Sequence, residues 1–195
     1  MIHSTAIIGE NVKLESGVEI GPYSFIDGNV TIGKNTKIHT SVSIAGNTTI
    51  GENNIIFPFC SIGSIPQDLK YYGEETYLKI GDSNTFREHC TVNMGTEGGG
   101  FNTIIGNGSL FMTGAHIAHD CIVGNNVIMA NQVTFGGHVV IENNAVIGGL
   151  SAIHQFCRIG ELSMIGGMSA VENDVVPFAL AIGMRGKSPG LTFFG

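Results

Sequence analysis

The chain has 195 residues, of which 13% are charged, 29 are Gly and none is Trp, with a formal net charge of −7. A pI near 5.4 argues against a basic nucleic-acid binder, and the aliphatic content argues against disorder. The N-terminal Met-Ile-His-Ser-Thr lacks the basic start and apolar core of a signal peptide, and no apolar run approaches the roughly 18 residues of a membrane helix; a cytoplasmic, globular protein without membrane insertion is expected.

Along the chain, one residue in six is apolar without a miss. The series runs Ile2, Ile8, Leu14, Ile20, Ile26, Ile32, Ile38, Ile44, Ile50, Ile56 and Ile62. It returns in phase at Ile80, Phe86 and Val92, shifts by one position, and continues unbroken from Ile105 to Val171. Nothing recurs at three and four residues, so helix is excluded. The fourth residue after the apolar one is almost always small or β-branched, as at Val18, Ser24, Thr36, Ser109, Ala115 and Ser151. Gly and Asn, which tolerate left-handed φ, stand in the turns, as in Ile32-Gly33-Lys34-Asn35. Short strands joined by corners, each coil burying its inner face against the next, make an all-β parallel β-helix.

Cys60, Cys90, Cys121 and Cys157 each stand four residues after an inward apolar one. At that position a thiol is a small hydrophobe, not a disulfide partner, ligand or nucleophile. Two segments break the period, at about 67–79 and 93–104. The first carries three of the four Tyr with Asp68, Lys70, Glu74 and Glu75, and the second contains Met-Gly-Thr-Glu-Gly-Gly-Gly. Loops inserted in a rigid solenoid commonly build its binding surface; the alternative is a solvated bulge.

His116, His119, His138 and His154 follow the second loop closely, while His3 and His39 read as surface residues. His119 stands two residues after inward Ile117, at a corner expected to point outward, with Asp120 adjacent. If a coil holds three hexapeptides, Asp120 and His138 stack on consecutive coils, and His119 and Gln155 share one corner. An imidazole beside a carboxylate is a sound general base, because its ordinary pKa of about 6.5 lies near working pH.

The Ile-Gly-x-x-small-x hexapeptide resembles the left-handed, triangular β-helix of the hexapeptide acyltransferases, with about 4.8 Å between coils. Pro66-Gln67-Asp68-Leu69-Lys70-Tyr71, Phe86-Arg87-Glu88, Gly114-Ala115-His116-Ile117-Ala118-His119-Asp120-Cys121, Gly136-Gly137-His138 and Ala152-Ile153-His154-Gln155-Phe156-Cys157 narrow the match. Together they resemble the UDP-N-acetylglucosamine O-acyltransferases of lipid A biosynthesis over residues 1–183. The resemblance implies a cytoplasmic homotrimer without cofactor, moving an R-3-hydroxyacyl group from acyl carrier protein to the sugar 3-hydroxyl. It implies His119 as general base, Asp120 as its orienting carboxylate and the Gly137 N–H as oxyanion donor. Gln67, Asp68 and Lys70 match loop residues that reach substrate across a subunit boundary, and His116, His138, His154 and Gln155 match pocket residues. Asn93 stands where some members carry a pocket His, and Gly167 matches the position that gauges acyl length.

Residues 184–195 form a divergent extension, with Met184 and Thr192 at places where the family typically has Asn, and with Arg185 and Lys187 as nearby positive charge. Within the same class, a 3-amino UDP-sugar acceptor or an acyl-CoA donor is the alternative. From another class, the γ-carbonic anhydrases share the fold and bind zinc through three His, a role for which His116, His119 and His138 are candidates.

Overall fold

A computed structural model describes residues 1–183 and the backbone of Lys187–Leu191. Met184, Arg185, Thr192 and the Lys187 side chain, singled out in the sequence, lie outside the described residues.

The chain winds as a three-sided prism. The first face is a 9-stranded sheet from Ile7–Ile8 to Ala170–Val171, and the second an 8-stranded sheet from Lys13–Leu14 to Arg158–Ile159. The third face has 10 strands: nine parallel ones from Glu19–Ile20 to Ala179–Ile182, and Lys187–Leu191 antiparallel at the end. Every other pairing is parallel, and partners on successive regular coils stand 18 residues apart, as with Ile8↔Ile26 and Phe111↔Met129.

The inward series is the core. Ile26, Ile44, Ile62, Phe86, Phe111 and Phe135 are fully buried or nearly so, and Phe86 stacks on Phe111 with centroids 4.7 Å apart. The small position also points inward: Ser24, Thr36, Ser109 and Ser151 are buried, as are all four Cys, which are unpaired. The polar ones are satisfied across coils, as where Ser109 Oγ accepts from the Val127 N–H at 2.9 Å. Burial pushes the Cys121 thiol up to about 12, which removes it as a nucleophile at neutral pH.

Both interruptions fall on one edge, where the first face turns into the second. Ser61 pairs with Thr91, and Thr91 with His116, spacings of 30 and 25 residues where a regular coil has 18. The loops therefore carry about 12 and 7 extra residues. Twelve is two hexapeptides and restores the phase; seven is one more than a hexapeptide and shifts it. Strand pairing resumes at Tyr77–Ile80 and Asn102–Ile105, so the loops are 65–76 and 94–101: the first starts and ends two to three residues before the expected 67–79, and the second lies within the expected 93–104.

Candidate active site

The loop-bearing edge continues upward through residues 118–121, 136–139 and 154–157. The order along it is first loop, second loop, His119-Asp120, Gly137-His138, then Gln155-Phe156. One corner position repeats in left-handed conformation, with φ of 60° at Asp120, 63° at His138 and 68° at Phe156. Asp and His, like Asn, adopt this φ more readily than most residues, whereas Phe156 takes it against its preference.

His119 and Asp120 are directly paired. His119 Nδ1 lies 2.7 Å from Asp120 Oδ2, and the Asp120 side chain is 0% exposed. An ionised carboxylate only accepts, so Nδ1 carries the proton and Nε2 is left as the basic atom. Thr96 of the second loop holds the same carboxylate twice: its N–H donates to Oδ1 at 2.7 Å and its hydroxyl to Oδ2 at 2.6 Å. A buried carboxylate satisfied by charge-assisted bonds is favourable, whereas one left unpaired would be costly.

The sequence pattern placed His119 on an outward corner. It does leave the prism, yet its side chain is only 11% exposed, because the first loop folds over it and brings Asp68 Oδ2 within 4.0 Å of Nε2. Asp68 and Gln67 thus approach the His119 of their own chain. Gly137 packs against the other side of the ring. A Cβ there would lie 2.4 Å from His119 Cε1 and 2.6 Å from Nε2, so only Gly lets the coil approach the base this closely.

Two clefts flank the imidazole. One, of about 560 Å³, is lined by Gln67, His116, His119, Gly137 and Gln155. The other, of about 640 Å³ between the loops, is lined by Asp68, Lys70, Glu74, Thr96, His138 and Phe156. His138 joins them: its ring stacks on Phe156 at 4.4 Å, meets His119 edge-on at 5.2 Å, and sets Nε2 3.8 Å from Asp120 Oδ2. Burial lowers its pKa, with Asp120 and Asp68 opposing and His119 and Lys70 reinforcing the shift. His116 is also lowered, by burial and then by His119, and its Nδ1 is 2.7 Å from the Thr91 hydroxyl.

Three expected site residues are not brought to this point. Asn93 is buried within the stack, and its amide donates to the Ile65 carbonyl at 3.0 Å, tying down the start of the first loop; it lines neither cleft. His154 is exposed and bonded at Nδ1 to the Gln155 carbonyl oxygen at 3.1 Å. Gly167 stands on a different edge, above Gly149, where the third face turns into the first. The three imidazoles considered for zinc do not form the convergent set. Among the described residues, the group whose ligand atoms lie within 4.8 Å of one another is His119, Asp120 and His138, and its carboxylate already serves Thr96 and His119.

The period gave no sign of Thr96, Gly99 or Phe156. Thr96 and Gly99 lie in the interruption itself, where the repeat carries no positional information. Phe156 was visible only as an apolar residue at a corner.

Comparison with known proteins agrees with this geometry. The family described as bacterial transferase hexapeptide (six repeats) matches residues 29–64 and 102–137. The acyl-(acyl-carrier-protein)–UDP-N-acetylglucosamine O-acyltransferase of Thermodesulfovibrio yellowstonii is 51% identical over 100% of this chain and 75% of its own length. The protein of that name from Anaeromyxobacter dehalogenans is 50% identical, over 100% and 76%. Among solved structures, UDP-N-acetylglucosamine O-acyltransferase from Moraxella catarrhalis superposes with a TM-score of 0.96 at 48% identity, covering 97% of this chain and 74% of that one. UDP-N-acetylglucosamine acyltransferase from Campylobacter jejuni gives 0.95 at 41%, covering 98% and 75%. A superposition this close requires the same hand of coil, so the left-handed winding expected from the hexapeptide stands.

Proposed function

This chain belongs to the acyl-(acyl-carrier-protein)–UDP-N-acetylglucosamine O-acyltransferases, and from that premise we propose how its loop-bearing edge performs the transfer. The substrates are an acyl carrier protein thioester and UDP-N-acetylglucosamine. His119 Nε2 removes the proton from the sugar 3-hydroxyl as the oxygen attacks the thioester carbonyl. Negative charge develops on the former carbonyl oxygen beside the Gly137 N–H, and a fixed donor there stabilises it where it forms. Collapse breaks the carbon–sulfur bond, and the imidazolium returns its proton to the departing thiolate. The ester and the free carrier thiol balance the reaction, and no metal or other cofactor takes part.

The observation that carries this reading is the buried Asp120 carboxylate 2.7 Å from His119 Nδ1, which leaves Nε2 basic and aimed at the cleft. Gln67, Lys70, His116, His138 and Gln155 border the clefts on either side and are assigned to the substrates. An R-3-hydroxyacyl group is the donor. Gly167 is assigned to gauge its length; because it lies on a different edge, this assignment requires a homotrimer whose neighbouring chain presents that edge to His119. Among the described residues no helix is long and apolar enough to cross a membrane, and we place the enzyme in the cytoplasm.

The test is mass spectrometry of products from UDP-N-acetylglucosamine offered with 3-hydroxyacyl carriers and with acyl-CoA. A 3-O-acylated sugar formed from the carrier thioester is the expected product. Transfer only from CoA, or acylation at nitrogen, would overturn the assignment.

A further inference from the structure

Asp120 takes the left-handed φ, 60°, that recurs at the corners of the prism, but its side chain is wholly buried, which does not follow from the coil, since a corner side chain of a regular turn faces solvent. The second loop produces that burial. Its Thr96 supplies two donors to the carboxylate, one to each oxygen. Its Gly99 lies so close that a Cβ would fall 1.9 Å from the Asp120 carboxyl carbon. The Asp120 backbone is fixed by the strand that leaves the loop, because its N–H donates to Thr103 Oγ1 at 2.8 Å. The carboxylate is therefore held from three directions before it meets His119.

We propose that Thr96 is a positioning residue of the transfer reaction: the second loop is a cap whose Thr96 N–H and hydroxyl fix the plane and moderate the charge of Asp120, and through it the orientation and basicity of His119. This rests on His119 being the base. It gives the 7-residue insertion a task other than contacting substrate, and it accounts for Gly99 by the space that a carboxylate and a backbone must share. Two donors on one anion draw its charge away from the imidazole. With the hydroxyl removed, Asp120 holds a proton on His119 more firmly, so the neutral, basic form appears only at higher pH. The other charged or titratable groups facing His119 are Asp68 of the first loop, His116 and His138 of neighbouring strands and corners, and Lys70 near His138. Thr96 variants leave all of these in place.

The experiment compares Thr96→Val, Thr96→Ser and Gly99→Ala with the wild-type protein, in kcat, KM for UDP-N-acetylglucosamine and the pH profile of kcat/KM. Thr96→Val is isosteric and keeps the backbone N–H. Its kcat is expected to fall about 10- to 100-fold, the range for a hydrogen bond to a charged group, with KM changed less than about twofold, since uniform binding is untouched. Its acid limb should move to higher pH, and Thr96→Ser should restore both rate and limb. Gly99→Ala should lower kcat with Thr96 intact. A readout independent of turnover is the downfield imidazole N–H proton resonance of His119 in the full-length protein, expected further downfield in Thr96→Val and at its wild-type position in Thr96→Ser. Should the wild type fail to acylate the sugar, the functional reading falls while this resonance still decides the role of Thr96. A resonance that ignores Thr96→Val, wild-type kinetics in that variant, or a Ser variant as impaired as the Val one would overturn the proposal.

Discussion

Two edges of the prism start from the same corner geometry and end in different chemistry. Where the second face turns into the third, the left-handed position is held by Asn35, Asn53, Asn126 and Asn144 and by Gly17 and Gly108, residues that take this conformation readily, with Ser83 and Leu162 completing the set. The neighbouring residues form a ladder: the Asp82 N–H donates to Asn107 Oδ1 at 2.7 Å, that of Asn107 to Asn125 Oδ1 at 2.8 Å, and that of Asn125 to Asn143 Oδ1 at 2.8 Å. Each coil thereby caps the next, and the edge stays regular. On the loop-bearing edge the same position holds Asp120, His138 and Phe156. A corner lined by asparagine builds a scaffold. A corner covered by inserted loops builds a site with a dry carboxylate and two clefts.

That contrast breaks most sharply at His119. His119→Ala should reduce kcat by about 10²- to 10⁴-fold, the usual worth of general-base catalysis, while the coil stays folded because the buried Asp120 carboxylate keeps both Thr96 donors. Retention of more than about a tenth of wild-type turnover would mean that another group is the base. A smaller effect is expected at the third edge, where a Cβ on Gly167 would meet only the Gly149 backbone, its oxygen at 3.3 Å and its nitrogen at 3.8 Å, so a larger side chain can extend outward. Gly167→Met would fill the space of three or four methylenes, each worth about 0.8 kcal/mol when buried, and should turn the preference from fourteen-carbon toward ten-carbon donors. An unchanged length profile in a competition assay would remove Gly167 from the acyl groove.

On the asparagine edge the sign of the readout reverses. Asn125→Ala leaves the Asn107 N–H without its acceptor and removes the side-chain amide bond to Asn143 Oδ1, while the Asn125 N–H keeps its own bond to that oxygen, so it should cost about 1 kcal/mol of stability and nothing in kcat. Chemical denaturation and steady-state rates on one preparation would check both halves. The smallest effect is with pH. Burial lowers His116 and His138 from 6.5, so the unfolded chain takes up protons first as pH falls below 6.5. Stability is full above that value and declines as pH drops through the folded-state values. His116→Gln should flatten this decline in a thermal melt series, and a slope that persists unchanged would assign it elsewhere.

The coil was legible because its period is local: Ile, Phe and Val every sixth residue, with Cys60 or Ser109 four after, state which side chains face inward without reference to any distant residue. The His119–Asp120 pair was legible for the same reason, being adjacent in sequence. What could not be read was anything that depends on the loops. His119 looked outward because nothing in the repeat says that residues 65–76 fold over it. Thr96 was invisible because its partner lies 24 residues away across a spacing that the 7-residue insertion sets. Asn93, matched by position to a pocket residue, turned out to hold the first loop. Gly167 and His119 share the period but not the edge.

The measurement that most directly tests whether one buried carboxylate serves the loop-bearing edge through its imidazole is a double-mutant cycle of His119→Ala and Asp120→Asn, read as kcat for transfer from a 3-hydroxyacyl carrier to UDP-N-acetylglucosamine. Groups that act as a unit give strongly non-additive losses. If Asp120 works through His119, Asp120→Asn alone should slow the reaction by at least about tenfold, and the double variant should be no slower than His119→Ala. If the two losses instead multiply, Asp120 contributes by a route that does not pass through His119.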